Sequence, residues 1–229
     1  MSKPPILISP SVLSVDFAHL ADDVKKAEAA GADRFHIDIM DGHFVPNLSM
    51  GPKIVAAINR STKVPLHVHL RMYNPFEFID RFVEAGADEI SFHFEATEEI
   101  EETLQFIRRC NVRSALAIRP ETPVSFLPRF FPLLDEILIM TVNPGFGGQA
   151  FMPATLKKIQ EARHYVNTLC DPDKRPNIAV DGGMNKETSL LCAKAGANVF
   201  VSGEYLFSSL DMAEAISSMR RGAEAVFGG

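Results

Sequence analysis

Apolar and polar positions along this chain change period repeatedly, from two to about three and a half. Residues 35–40 read Phe-His-Ile-Asp-Ile-Met. Strand side chains alternate, so Ile37 and Ile39 share one face and His36, Asp38 and Met40 the other. Asp41-Gly42 breaks that strand, and Pro46 prevents an early helix. Leu66-His67-Val68-His69-Leu70 repeats the design one strand later. The pattern predicts further strands near 6–8, 89–94, 113–118, 136–141, 177–180 and 199–202. Helical spacing, as in Phe17, Leu20, Val24 and Ala27, predicts helices near 16–30, 52–59, 75–85, 98–109, 124–127, 153–169, 186–195 and 211–227. Asp16 is a fitting N-cap for the first of these, and Gly31 a fitting end.

Strands alternating with helices imply a parallel sheet, and eight such units imply a closed (β/α)8 barrel in one domain, 1–229. An open doubly wound sheet is the structural competitor. One phrase recurs: Ala30-Gly31-Ala32-Asp33, Ala85-Gly86-Ala87-Asp88 and Ala195-Gly196-Ala197-Asn198. Its glycines stand 55 and 110 residues apart, so the second gap is twice the first. That interval fits a quasi-regular array with two βα units per repeat.

Composition narrows the classes. Hydrophobic residues make up 46% and charged residues 23%, ordinary for a soluble globular protein. A net charge of −6 argues against nucleic acid as the main partner. Cys110, Cys170 and Cys192 are widely spaced and odd in number, with neither disulfide nor zinc-ribbon spacing. No apolar run is long enough to span a bilayer and no signal pattern opens the chain, so a cytoplasmic protein is expected.

In a barrel all strands end at one rim, where barrel enzymes carry their sites. The polar strand ends then gather: Ser11, His36 and Asp38, His69, His93 and Glu95, Asn143 and Asp181. A lone His-Asp pair is most often a satisfied structural pair, but here the design recurs on several strands. His36, Asp38, His69 and Asp181 offer two imidazoles and two carboxylates, a set suited to one divalent zinc, iron, manganese or cobalt ion. Three glycine-bearing turns follow the last strands: Asn143-Pro144-Gly145-Phe146-Gly147-Gly148-Gln149, Asp181-Gly182-Gly183 and Ser202-Gly203. Glycine lets backbone amides approach an anion, and barrel phosphate sites form from the late βα loops.

These residues carry a resemblance. Ser9-Pro10-Ser11, the run from His36 to Asn47, Val68-His69-Leu70 and Phe92-His93-Phe94-Glu95-Ala96 resemble the ribulose-phosphate 3-epimerase family. So do the run from Met140 to Gln149 and Val180-Asp181-Gly182-Gly183, in order over nearly the whole chain. The resemblance implies interconversion of D-ribulose 5-phosphate and D-xylulose 5-phosphate, with one metal on His36, Asp38, His69 and Asp181. It implies that Ser11 and His69 touch substrate, that Met40 and Met140 cap the site, and that Gly145, Phe146, Gly147, Gly148, Gly182, Gly183 and Gly203 surround the phosphate. Epimerisation beside a ketone needs acid/base groups on both faces, and Asp38 and Asp181 are the expected pair. A sugar-phosphate substrate, a homo-oligomer, and no nucleic-acid or membrane partner are expected.

Three positions depart from the family pattern. His67 stands where aspartate is usual, Arg71 where a third capping methionine is usual, and Glu204 where a small residue is usual. Arg71 shares a face with His67 and His69, so it is expected to reach the site. Glu204 beside a phosphate is unfavourable, so it is expected to turn away or to pair with a cation, Arg71 being one candidate. These changes leave another ketose phosphate, such as a hexulose 6-phosphate, as an alternative substrate. Two other classes compete: a different phosphate-binding barrel enzyme, which would lack the four-ligand set, and a catalytically silent barrel, which would not need both aspartates.

Overall fold

The structure, a computed structural model, describes residues 3–228. The expected domain range 1–229 also takes in residues 1, 2 and 229, which lie outside the described residues. Eight parallel strands form a single sheet among the described residues: β1 Leu7–Pro10, β2 Phe35–Met40, β3 Leu66–Arg71, β4 Glu89–His93, β5 Arg113–Ile118, β6 Glu136–Met140, β7 Asn177–Asp181 and β8 Val199–Ser202. The strand order is β1-β8-β7-β6-β5-β4-β3-β2. A parallel bridge between Ser11 and His36 joins the two ends. Ser11 also donates its backbone N–H to Ser202 O at 3.0 Å, so it is tied to both neighbours at the seam. The sheet is thus a nearly closed (β/α)8 barrel, and the open-sheet alternative does not hold.

Its outer layer holds α1 Leu20–Ala29, α2 Pro52–Ser61, α3 Ile79–Glu84, α4 Ile100–Arg109, α5 Thr155–Leu169, α6 Lys186–Ala195, α7 Glu204–Phe207 and α8 Met212–Val226. Alternation sends Ile37, Ile39, Val68, Leu70, Ile90 and Phe92 outward, where they join Val55, Ile58, Phe82 and Leu104 of the helices in the main core. Full burial of each such side chain contributes about 1.5–3 kcal/mol. The barrel interior is smaller and divided. On β5–β8 it is mainly apolar, with Ala117, Leu138, Ala179, Val199 and Val201 in one cluster beside buried Glu136 and Asp181. On β2–β4 it is polar, with His36, Asp38, His67, His69, Arg71, Glu89, Ser91 and His93 all buried.

The repeated phrase has a physical role. Gly31, Gly86 and Gly196 take positive φ values of 97°, 101° and 113°, which end α1, α3 and α6 and turn the chain back toward the sheet. The Asp or Asn two residues later then clamps the start of the preceding strand. Asp33, Asp88 and Asn198 accept the backbone N–H of Ile8, Leu66 and Ile178 at 2.6, 2.8 and 2.9 Å. Each returns its own N–H to the carbonyl of the same residue. Asp135 does the same to Ser114, with its carboxylate 2.9 Å from the N–H. It is the fourth copy, without the glycine, because the unit before it ends differently.

That unit corrects one expectation. The helix predicted near 124–127 is absent among the described residues; two 3-10 turns, Leu127–Arg129 and Phe131–Leu133, follow β5 instead. Pro128 and Pro132 lack the N–H that a helical ladder needs. The 16–30 helix also starts later: Asp16 caps a 3-10 turn, Phe17–His19, accepting Ala18 N–H at 3.0 Å, and α1 begins at Leu20. The four residues of α7 form a helix that the sequence pattern does not indicate.

Candidate active site

Strand register sets the site. Asp38 lies level with His69, Met40 with Arg71, and Met140 with Asp181. One ligand atom from each of His36, Asp38, His69 and Asp181 falls within 4.8 Å of the others, and all four residues are buried. His36 Nε2 lies 3.2 Å from Asp38 Oδ1, 3.3 Å from His69 Nδ1 and 3.8 Å from Asp181 Oδ2. His69 Nδ1 is 3.2 Å from Asp38 Oδ1. Ser11 Oγ donates to the second oxygen, Asp38 Oδ2, at 3.2 Å.

Atoms that bring mainly lone pairs therefore face one another in a largely buried cluster. Such a convergence calls for a cation. Arg71 supplies one: Nη2 donates to Asp38 Oδ1 at 2.8 Å and to Asp181 Oδ2, and Nε donates to His69 Nδ1 at 3.3 Å. Its nitrogen stands in for positive charge at the point where both carboxylates meet. The opposite nitrogen, His69 Nε2, is buried without a partner. The donor chemistry and spacing fit a divalent ion.

The two carboxylates are driven apart. Burial works to raise Asp38, but the charges of Arg71 and His36 hold it well below the usual carboxylate range. Burial raises Asp181; Arg71 opposes this only in part, and the nearby charge of Asp38 adds to it. His69 is kept neutral first by burial and then by Arg71.

Asp38, Asp181, Arg71 and Ser11 line one cavity of about 560 Å³. Phe146, Gly147, Gly148, Gly182, Gly183, Gly203 and Glu204 line the same cavity, so acid/base cluster and glycine turns share a chamber. A Cβ on Gly183 would come within 2.6 Å of Phe151 N, so the β6 and β7 turns pack too closely for any other residue. Other predicted residues stand outside the lining. His36 and His69 are fully buried beneath it, and Met140 is buried beside Asp181. Met40 packs with Phe44, Val45 and Ala96. The carbonyl of Gly145 accepts Asn47 Nδ2 at 2.9 Å, tying the β2 loop to the β6 loop.

Glu204 corrects a further expectation. It neither turns away nor pairs with Arg71. A Cβ on Gly148 would lie 2.4 Å from Glu204 Oε2, so the carboxylate stands against the glycine turn. Arg71 is committed to Asp38 and Asp181. Sequence reasoning missed Ser14, Asn185, Thr188, Tyr205 and Ser208, which also line the cavity. Asn185 left a signal: it caps α6, accepting Glu187 and Thr188 N–H at 2.9 and 3.0 Å, directly after a glycine turn.

Paired aspartates beside glycine turns, at the strand ends of a (β/α)8 barrel, define a barrel enzyme of the proton-transfer class acting on an anionic small molecule. Comparison with known proteins narrows the class. Residues 7–207 match the model of the ribulose-phosphate 3-epimerase family. The ribulose-phosphate 3-epimerase of Chlamydia pneumoniae is 50% identical over 217 residues, covering 94% of each chain. That of Bacillus subtilis is 45% identical over 215 residues, covering 94% of this chain and 98% of its own. This chain belongs to the ribulose-phosphate 3-epimerase family, and is an isomerase. Among solved structures, KGPDC from Streptococcus mutans aligns with a TM-score of 0.69 at 12% identity, covering 99% of this chain and 100% of its own. The 3-hexulose-6-phosphate synthase of Salmonella typhimurium gives 0.69 at 14%, covering 96% and 99%. At such identities they share the fold.

Proposed function

We propose that this chain interconverts D-ribulose 5-phosphate and D-xylulose 5-phosphate by moving the proton at C3 from one face of the sugar to the other. The observation that carries the reading is the pair Asp38 and Asp181, on different strands, both bonded to one guanidinium nitrogen and lining one cavity. One base cannot serve both faces of a carbon, and two carboxylates on different strands can. One carboxylate takes the proton from its face while the other returns a proton on the opposite face. The roles exchange in the reverse reaction.

Ser11 orients Asp38 through its hydroxyl and stands beside the sugar. The amides of Gly147, Gly148, Gly183 and Gly203 hold the phosphate, and Phe146 closes over it. Met40 and Met140 keep the strand ends dry. His36, Asp38, His69 and Asp181 would hold one divalent ion, of zinc, iron, manganese or cobalt, and it would supply positive charge to the sugar oxygens that become negative as the proton leaves C3. The domain spans 1–229, works in the cytoplasm without nucleic acid, and forms a homo-oligomer, for which exposed Leu48 and Tyr73 on the rim loops are candidate contacts. No helix among the described residues is long and apolar enough to cross a membrane.

A panel of ketose phosphates in deuterated solvent tests the reading. The expected result is deuterium at C3 of ribulose 5-phosphate together with xylulose 5-phosphate as product. Exchange confined to a six-carbon ketose phosphate would replace the substrate, and exchange with none would remove the epimerase reading.

A further inference from the structure

Arg71 places a guanidinium where the four donors converge. Its side chain is 4% exposed and hydrogen-bonds through two nitrogens to Asp38 Oδ1, Asp181 Oδ2 and His69 Nδ1. These are three of the four atoms that the proposed metal set would offer, and the inference rests on that set. A lone pair donated to a guanidinium hydrogen is not free for a metal ion. A divalent ion bound to the same oxygens would also stand beside a fixed positive charge, which raises its energy in a site with little water.

A second observation points the same way. A metal-binding histidine is made more basic when its other nitrogen faces a carboxylate. Here the outer nitrogen of His36, Nδ1, lies 3.3 Å from His67 Nδ1. The far nitrogen of His67 meets the Ser91 hydroxyl at 2.7 Å. An imidazole and a hydroxyl thus stand behind His36, and the support for a metal ligand is weaker on that side as well. The guanidinium has somewhere to go, because Arg71 already lines the cavity that holds Glu204 and the glycine turns.

We propose that Arg71 is a resident cation that competes with the divalent metal for Asp38, Asp181 and His69, so that metal binding requires its guanidinium to leave the cluster. The metal-free chain keeps its buried carboxylates paired through Arg71. The cost is a lower metal affinity than the same four ligands have without it.

Zinc binding to chelator-stripped protein tests this, read by calorimetry rather than by turnover. Arg71→Met should bind zinc about tenfold or more tightly than the unaltered chain, with Arg71→Lys between them, since a charge kept near the ligands opposes the ion. Arg71→Met should also melt at lower temperature when metal-free and gain more from zinc, because its aspartates lose their partner. Equal or weaker affinity in Arg71→Met overturns the proposal, as does failure of both chains to bind zinc. If Arg71→Met does not fold, the unaltered chain decides: its Arg71 Nε–H resonance, assigned by its absence in Arg71→Lys, must shift when zinc is added. An unmoved resonance at saturating zinc overturns the proposal. Ribulose 5-phosphate turnover is assayed separately: a chain that shows the competition without epimerising loses the functional reading and keeps this one.

Discussion

Replacing Glu204 by serine should tighten the binding of a five-carbon ketose phosphate. Glu204 opens α7 directly after Gly203, and its Oε2 stands against Gly148 in the turn assigned to the phosphate. A phosphate over the Gly148 amide would face that carboxylate across the turn. A single and a double negative charge at about 5 Å repel by about 1.7 kcal/mol at the dielectric constant of water. Salt at physiological strength roughly halves this, and the partly enclosed cavity raises it again, leaving about 1–2 kcal/mol. The expected change is a KM lower by about five- to thirtyfold, at 1.4 kcal/mol per factor of ten.

The phosphate end binds alike in ground and transition states, so kcat should stay within about twofold. Steady-state kinetics at two salt concentrations measure both quantities. The gain should shrink at high salt, because the repulsion crosses a solvent-accessible cavity. An unchanged KM at low salt would refute the repulsion argument. A raised KM with a new preference for an unphosphorylated sugar would refute the phosphate assignment itself.

Four further outcomes follow from the same structure. Asp38→Asn and Asp181→Asn should each lower turnover by at least about a hundredfold; a variant with normal metal content and near-normal turnover removes that residue from the proton path. Elemental analysis should find one divalent ion per chain in active protein, and full activity after chelation would refute the metal requirement. Arg34 bridges Glu89 and Glu136 through three contacts of 2.7–2.8 Å. Arg34→Met should therefore cost about 3–5 kcal/mol in urea unfolding, the usual scale for breaking a buried pair, with a loss under about 1 kcal/mol as the refuting result. Burial works to raise Glu95, but hydrogen bonds from His93, Thr122 and Arg119 hold it at about 2 against an ordinary 4.5. Its folded value is the lower one, so its stabilisation is present above about pH 4.5 and lost as pH falls toward 2. Glu95→Gln should flatten that part of the acid-unfolding curve, and an identical curve would refute it.

The strands were legible in two ways. Phe35–Met40 and Leu66–Arg71 alternate apolar residues toward the helices with mostly polar ones toward the interior, a period of two, whereas β6 and β8 read as short, nearly continuous apolar runs. The repeat was legible through its glycines, which only a positive φ explains at so fixed a spacing. Asp135 was not, since its clamp on Ser114 follows 3-10 turns rather than a helix ended by glycine. The metal set and glycine turns sit on strands or directly after them, where register fixes position. Ser14, Asn185, Thr188, Tyr205 and Ser208 lie in loops or helices beyond the strand ends, and loop geometry has no comparable period. Arg71 was placed on the right face by alternation. Its partners were not foreseen, because a long side chain chooses among anions by distance, and Asp38 is in the neighbouring strand.

The interior contains two polar clusters built on one plan, and their difference separates stability from function. Each has two carboxylates joined by one arginine: Glu89 and Glu136 on Arg34, Asp38 and Asp181 on Arg71. Each has a neutral imidazole nearby, and each places three or more candidate ligand atoms together. Arg34 engages Glu136 through both terminal nitrogens, and the excess negative charge is relieved on Glu89, which burial and Glu136 push up to about 7. That cluster does not line the cavity, so nothing can exchange with its cation. The Arg71 cluster opens on the cavity through Asp38, Asp181 and Arg71 itself, and carries an unpartnered His69 nitrogen. Composition alone would call both of them ion-pair networks. Access to the chamber is what both the proposed exchange of cation and the proposed proton transfer on a sugar require, and only the second cluster has it.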